Sequence, residues 1–302
     1  MIIKPLVPHL PNLKIEIQSC YIGPKYQPTQ RELEQLPYSL EASYNAVRIL
    51  TADANRIVDE YREWREKVKR SSIIIPGRPC EELAFMIDNF LDAARRTQNA
   101  LQPYLSKSLG ISIPKSMANL INKIENKSIE LPKEIEALLL GYWKNHGLIL
   151  KEYRDAAQHH CVVSSDVILK FDRNEAFLYL SLVNNPKEVS MKGPSAVRWE
   201  SPFVHAIPFV IKSFFALLEV IHNVTFILLS MSPTDKKEVQ QTEFSRKEVK
   251  NPLEVFEIPS TQWFENEVKR CRNARILSRF MRPTTKYLTG YVFPYDQITC
   301  IM

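Results

Sequence analysis

The chain has 302 residues, of which 45% are hydrophobic and 25% charged, and it carries a net charge of +6. This composition supports a large hydrophobic core and excludes a wholly disordered protein. The 7 glycines argue against glycine-rich phosphate loops, while the 20 prolines indicate frequent breaks between helices.

The chain begins with a stretch that has no helical periodicity. Residues 1–28 are predicted to form an extended N-terminal segment, in which positions 14–18 alternate in polarity like a strand. From residue 29 to about residue 69, hydrophobic residues recur at helical spacing. We expect Pro37 to break or kink this helix, because proline removes a backbone donor.

Three further helices are predicted in the next part of the chain. Residues 71–79 contain a short apolar run and are interpreted as a break, followed by a helix from about Cys80 to Leu101. A shorter helix follows Pro114. Another begins at Pro132, which suits the first turn of a helix, and runs to about Cys161.

The periodicity changes near residue 166. Two runs of strand character, joined by four polar residues, predict a hairpin at 166–182, which we expect to pair with the strand at 14–18. The apolar segment 203–230 is long enough to span a membrane. It contains Lys212 and Glu219, each costing about 2.5–3.5 kcal/mol at a bilayer centre, so a buried helix is the preferred interpretation.

These elements predict a mainly α protein, a helical bundle with a small β-hairpin element and an extra C-terminal helix. We expect one domain at 29–231, with residues 232–302 packed on it as a loop, a basic helix and an irregular tail. The five cysteines form no C-x-x-C pair. This pattern is typical of reduced thiols and predicts a cytoplasmic protein.

One cluster of polar residues near the end of the helix after Pro132 suggests chemistry. Asp155 and His159 are four residues apart, so a carboxylate can orient the imidazole and fix its tautomer. Arg154 supplies a donor fork suited to a phosphate, although it lies about 140° around the helix from His159. His160 is a second imidazole one position on.

The run from Tyr153 to His159 resembles the signature of the HEPN superfamily. That signature is an Arg, a polar residue, three variable residues and a His on the last helix of a four-helix bundle. The resemblance covers six positions closely and the helical plan of residues 29–230 more loosely. It departs from the toxin subset, because Cys161 stands where that subset has a Tyr.

The resemblance implies a HEPN-like bundle that dimerises and, where active, cleaves RNA without metal to leave a cyclic phosphate. Arg154 would bind the phosphate, Asp155 would orient the site, and His159 or His160 would act as acid or base. In the alternative interpretation, Arg154 and Asp155 are simply solvated on an exposed helix face, and the histidines cap the last turn.

A second candidate site lies in the predicted helix at 262–281 and just beyond it. Four arginines spaced 3, 4 and 3 residues apart share one face, where they would follow an RNA backbone or simply be solvated. They are Arg272, Arg275, Arg279 and Arg282.

Other polar residues have simpler interpretations. His205 and His222 are predicted to be satisfied core residues. The charged residues of the second helix are predicted to form ion pairs, or to support the site with a further acid; they are Asp88, Asp92, Arg95 and Arg96.

The leading functional prediction is a metal-independent endoribonuclease of a stress or phage-defence system, acting on RNA as a homodimer with a cognate regulator protein. It requires no cofactor, no metal and no stable membrane insertion. One alternative is a non-catalytic HEPN-like module that binds RNA, a nucleotide or a protein partner. A third class is a structural or peripheral membrane protein that uses the helix at 203–230.

Overall fold

The computed structural model describes residues 30–68, 72–75, 78–159, 164–172, 175–197 and 204–231. Most of these residues are helical, which confirms the mainly α prediction. Trp143–Gly147 forms a π-helical turn and Pro194–Ala196 a 3₁₀ turn. The α-helices are α1 (Gln30–Val68), α2 (Arg78–Leu109), α3 (Met117–Glu125), α4 (Lys133–Tyr142), α5 (Leu148–His159), α6 (Pro186–Lys192) and α7 (Ala206–Met231).

The strands form one antiparallel sheet in the order β1-β2-β3-β4. The predicted hairpin is confirmed as β2 and β3, with Ile168 opposite Tyr179. The prediction of a break at residues 71–79 is wrong for the short apolar run before Pro76. That run forms strand β1, in which Ile74 pairs with Ile168. Three consecutive isoleucines suit this edge of the hairpin, because β-branched residues favour strands. The strands are β1 (Ser72–Ile75), β2 (Ser164–Asp172), β3 (Glu175–Leu182) and β4 (Val204–His205).

Helix α1 continues through Pro37, so the break that was one of two expectations there does not occur; Leu36 and Leu40 are fully buried on either side. One predicted helix end is wrong. Helix α2 continues past the predicted end at Leu101 and through Pro103. The burial of large side chains next to each proline offsets the cost of one lost backbone hydrogen bond.

The core lies where α1, α2 and α7 meet. Helices α1 and α2 run antiparallel, since Ser43 contacts Thr97 at 2.9 Å while Arg56 contacts Glu82 at 3.4 Å. Helix α7 packs against both and against α4. The Tyr104 hydroxyl of α2 donates to the Thr225 hydroxyl of α7 at 3.2 Å.

Helix α7 is the one helix of the described ranges that has the length and composition to cross a membrane. Half of its most apolar window is buried against the rest of the protein. Lys212 and Glu219 are exposed on it. The sequence predicted such burial for a core helix. The length and composition of α7 are by themselves only weak evidence for a membrane span.

His205 is a satisfied core residue, as predicted. Its Nε2 donates to the Leu178 carbonyl at 3.0 Å, and its Nδ1 accepts from the Ile207 backbone N–H at 3.3 Å. Both ring nitrogens are therefore used inside the fold. The predicted strand at 14–18, the predicted helix at 262–281 and the arginines from Arg272 to Arg282 lie outside the described residues.

Candidate functional site

Helix α5 is fixed in place by its buried face. Leu150, Tyr153 and Ala156 recur at helical spacing and are fully buried or nearly so. The Tyr153 hydroxyl donates to the Val183 carbonyl at 2.7 Å, and its ring packs edge-on against Phe209 with centroids 4.9 Å apart. The other side of the helix, which carries Arg154, is consequently directed away from the core.

The register of α5 against α2 is set by the π-helical turn. The Gln98 side-chain amide of α2 donates to the Gly147 carbonyl at 3.2 Å and to the Tyr142 hydroxyl at 2.9 Å. A Cβ at Gly147 would lie only 2.8 Å from the Trp143 ring, so glycine is needed for this close approach. The sequence indicated only that Gly147 weakens a helix, and it did not predict the π turn. Single π turns within α-helices are frequent at functional sites.

Arg154 links the two helices through a carboxylate on each. Its Nε lies 3.2 Å from Asp92 of α2, and its terminal nitrogen lies 3.4 Å from Asp155. The second Asp155 oxygen accepts from Lys151 at 2.6 Å. This geometry confirms the ion pairing predicted for Asp92. Helices α2 and α5 run antiparallel, because Gly147 precedes Arg154 in the chain whereas its partner Gln98 follows Asp92. We call the line of contact between α2 and α5 the seam.

The two cations keep Asp155 ionised. Burial raises the pKa of Asp155, but hydrogen bonds and charges from Lys151 and Arg154 outweigh that effect, and the net pKa is lowered. The hydrogen bond that the His159 imidazole would donate to the Asp155 carboxylate, which the spacing of four residues predicts, stays a prediction. Lys151 precedes Asp155 by four positions, a spacing that places the two side chains together, yet it was not among the residues predicted for the site.

Two more polar residues of α2 lie along the seam. Arg95 donates to Gln98 at 2.9 Å; burial lowers its pKa, while the charge of Asp155 opposes that effect. Asp88 lies one turn before Asp92, and its Oδ1 is buried with no hydrogen-bond partner in the described part of the chain. Burial and the charge of Asp92 raise the pKa of Asp88 to about 6.

Four of the polar residues of α2 form a stripe along the helix. Asp88, Asp92, Arg95 and Gln98 recur every three or four positions, which is the spacing of one helix face. The sequence contained this signal. Only the fold shows that Asp92 of this stripe contacts α5 and that Gln98 contacts the π turn.

His159 is the last residue of α5 and is exposed. Five residues separate it from Arg154, which corresponds to about 7.5 Å along the axis. The structure therefore brings Arg154 together with Asp155 and Asp92, and places His159 further along the same helix. His160 and the arginines Arg272, Arg275, Arg279 and Arg282 lie outside the described residues.

The arrangement offers a partly exposed guanidinium whose partners can be exchanged. The Arg154 side chain is 24% exposed and Asp92 is 56% exposed. An exposed ion pair contributes little to stability, so an incoming phosphate can replace Asp92 at small cost. Across the described ranges, no three His, Cys, Asp or Glu side chains come together in a group that could hold a metal ion.

No family model matches the chain, and comparisons with curated proteins and with solved structures give no significant match.

Proposed function

We propose that the chain is a HEPN-like, metal-independent endoribonuclease that binds RNA where α2 and α5 meet. The observation that supports this most is the position of Arg154, a partly exposed guanidinium oriented by Asp92 and Asp155 on the helix that ends in the exposed His159. A fixed cation and an imidazole are the two kinds of group that RNA cleavage without metal requires.

The proposed reaction is an attack within the RNA strand. The 2′-hydroxyl loses its proton to a base and its oxygen bonds to the adjacent phosphorus. The bond from phosphorus to the 5′-oxygen then breaks, and that oxygen receives a proton from an acid. The products are a 2′,3′-cyclic phosphate and a free 5′-hydroxyl.

Arg154 would stabilise the negative charge that develops on the phosphorus-bound oxygens, because its fork can donate two parallel hydrogen bonds. His159 would serve as the acid or the base, with His160 as a candidate for the second proton transfer. Asp155 stays bound to Lys151 and keeps the guanidinium oriented after a phosphate has replaced Asp92.

The wider proposal follows the family resemblance. It includes a cytoplasmic homodimer that brings two Arg154/His159 pairs to its interface, a cognate regulator protein, and a role in stress or phage defence. The arginines from Arg272 to Arg282 would add RNA affinity, since each phosphate contact releases counterions.

The chemistry is tested with an RNA of defined sequence, incubated with the purified chain in EDTA. We expect cleavage, and we expect the upstream product to end in a cyclic phosphate. A matched RNA with a 2′-deoxyribose at the cleaved position should stay intact, because the attacking hydroxyl is missing. Cleavage of the deoxy-substituted RNA at that position would contradict the mechanism.

One observation favours the alternative of a non-catalytic binding module. Arg154 is already paired with Asp92 and Asp155, so the cation is neutralised unless a ligand displaces a carboxylate. RNA affinity without cleavage in any buffer, from a folded chain, would support that alternative.

A further inference from the structure

Asp88 is the one carboxyl group along the seam between α2 and α5 that has a buried oxygen without a hydrogen-bond partner in the described ranges. Leaving a buried polar atom unpaired is costly, so such an atom calls for an explanation. Asp88 lies on the same face of α2 as Asp92, one turn away, and Asp92 in turn contacts Arg154 at 3.2 Å.

The charges of the site explain why this position matters. Arg154 provides a positive charge to Asp92. If a phosphate draws the guanidinium away, Asp92 loses that charge and stands one turn from a second carboxyl group. Two ionised carboxylates at this spacing repel each other, and a proton shared between them removes the repulsion.

We propose that Asp88 is a positioning residue that takes up a proton when a phosphodiester draws Arg154 away from Asp92. Binding of nucleic acid at this site is then coupled to proton uptake, and the protonated Asp88 stabilises the state in which Arg154 faces the ligand. The inference rests on the proposed function only in taking Arg154 as the group that binds phosphate.

Of the carboxyl groups at the site, Asp88 is the one suited to accept a proton. On α5, the charged groups at the contact with α2 are Lys151, Arg154 and Asp155, and Arg154 contacts Asp92, one turn from Asp88. Asp155 cannot take the proton near neutral pH because its own pKa is lowered. Asp88, with a pKa of about 6, is already close to protonation.

The charge that acts on Asp88 is that of Asp92. Helix α7 also packs against α2; its charged residues Lys212 and Glu219 are exposed, and its titratable His222 is partly buried. On the α1 side, Arg56 bonds to Glu60 at 2.7 Å and to Glu82 at 3.4 Å. Arg95 lies two turns after Asp88 and bonds to Gln98. Strand β2 also packs against α2, and its described side chains, Val167 and Leu169, are buried and apolar.

The experiment uses a single-stranded 2′-deoxyoligonucleotide, which carries phosphates but cannot be cleaved by this mechanism. Its dissociation constant is measured by fluorescence anisotropy from pH 5.5 to 8. Proton uptake is counted by calorimetry in buffers of different ionisation enthalpy. We expect uptake of a fraction of a proton near pH 7, and a weakening of affinity by less than about tenfold per pH unit above that.

Three variants identify the group. Asp88→Asn should lose most of the proton uptake, since the amide cannot titrate. His159→Gln should keep it, although an imidazole near a phosphate is the obvious alternative source. Glu81→Gln, at an exposed carboxylate on the same helix, is the matched control and should behave like the parent.

The inference is overturned if Asp88→Asn retains the parent's proton uptake, if His159→Gln abolishes it, or if the parent takes up no proton or binds no oligonucleotide. RNA cleavage is scored separately on the same preparations. If the chain cleaves RNA but shows no Asp88-dependent proton uptake, the proposed function stands and this inference is wrong. If proton uptake depends on Asp88 but no RNA is cleaved, this inference stands and the nuclease proposal is wrong.

Discussion

His205 and Asp88 are titratable side chains whose pKa values are displaced in opposite directions by burial. Burial disfavours whichever form carries charge, so the pKa of His205 falls to about 4 while that of Asp88 rises to about 6. Each displacement makes the stability of the folded chain depend on pH, and the two dependences have opposite signs.

His205 should make the chain less stable in acid. The unfolded chain binds this proton near pH 6.5 and the folded chain only near pH 4, so stability is full above pH 6.5 and falls as the pH is lowered. The contribution amounts to about 3 kcal/mol at pH 4. We expect His205→Gln to be less stable at pH 7.5 but to lose less on acidification, measured by urea unfolding. His222→Gln is the control, and an equal pH dependence in all three chains would contradict the assignment.

Asp88→Asn should stabilise the chain at pH 8. The folded chain holds the Asp88 proton more tightly than the unfolded chain, so its ionised form is penalised above about pH 6 and unpenalised below pH 3.8. The amide removes that penalty, and we expect a gain of roughly 1–2 kcal/mol after allowing for solvent screening. The gain should vanish near pH 4 in urea unfolding. A loss of stability at pH 8 would show that the carboxylate has a favourable partner.

At the scale of elements, the π turn between α4 and α5 sets the position of the site. Gly147→Ala places a Cβ 2.8 Å from the Trp143 ring and 2.9 Å from the Tyr142 ring. We expect a destabilisation of about 1–3 kcal/mol and weaker RNA cleavage, because the contact between Gln98 and Gly147 must loosen.

Gly141→Ala is a matched control in the preceding turn. A Cβ at Gly141 meets nothing within 4 Å, so this change should be neutral or stabilising by up to about 1 kcal/mol. Thermal unfolding of both variants makes the comparison. Equal effects at the two glycines would contradict a tight fit at the π turn.

The sequence predicted those elements whose signal is local. The helix after Pro132 and the hairpin at β2 and β3 follow from spacing within each segment. Strand β1 was missed, because its pairing with β2 joins distant parts of the chain. The same limit applies to the site. The motif around Arg154 was visible, whereas its contact with Asp92, 62 positions away, depends on how α2 and α5 pack.

At the scale of the whole molecule, α7 connects the helices into one core. Phe214 is fully buried, and its ring lies 5.9 Å from that of Tyr44 on α1. Phe214→Ala should destabilise the chain by about 3–5 kcal/mol in urea unfolding without detergent. Phe85→Ala, at a ring that is 61% exposed, is the control and should change little. Similar small effects from both changes would contradict a core role for α7.

The central claim is that RNA is cleaved without metal through Arg154 and His159. The most direct measurement is the rate of RNA cleavage in EDTA by the parent chain, by Arg154→Ala, by His159→Ala and by Arg48→Ala, an exposed arginine on α1 that serves as the control. We predict cleavage by the parent and by Arg48→Ala, and a loss of at least about a hundredfold in the other two with folding intact. Cleavage at the parent's rate by Arg154→Ala and His159→Ala would contradict the account.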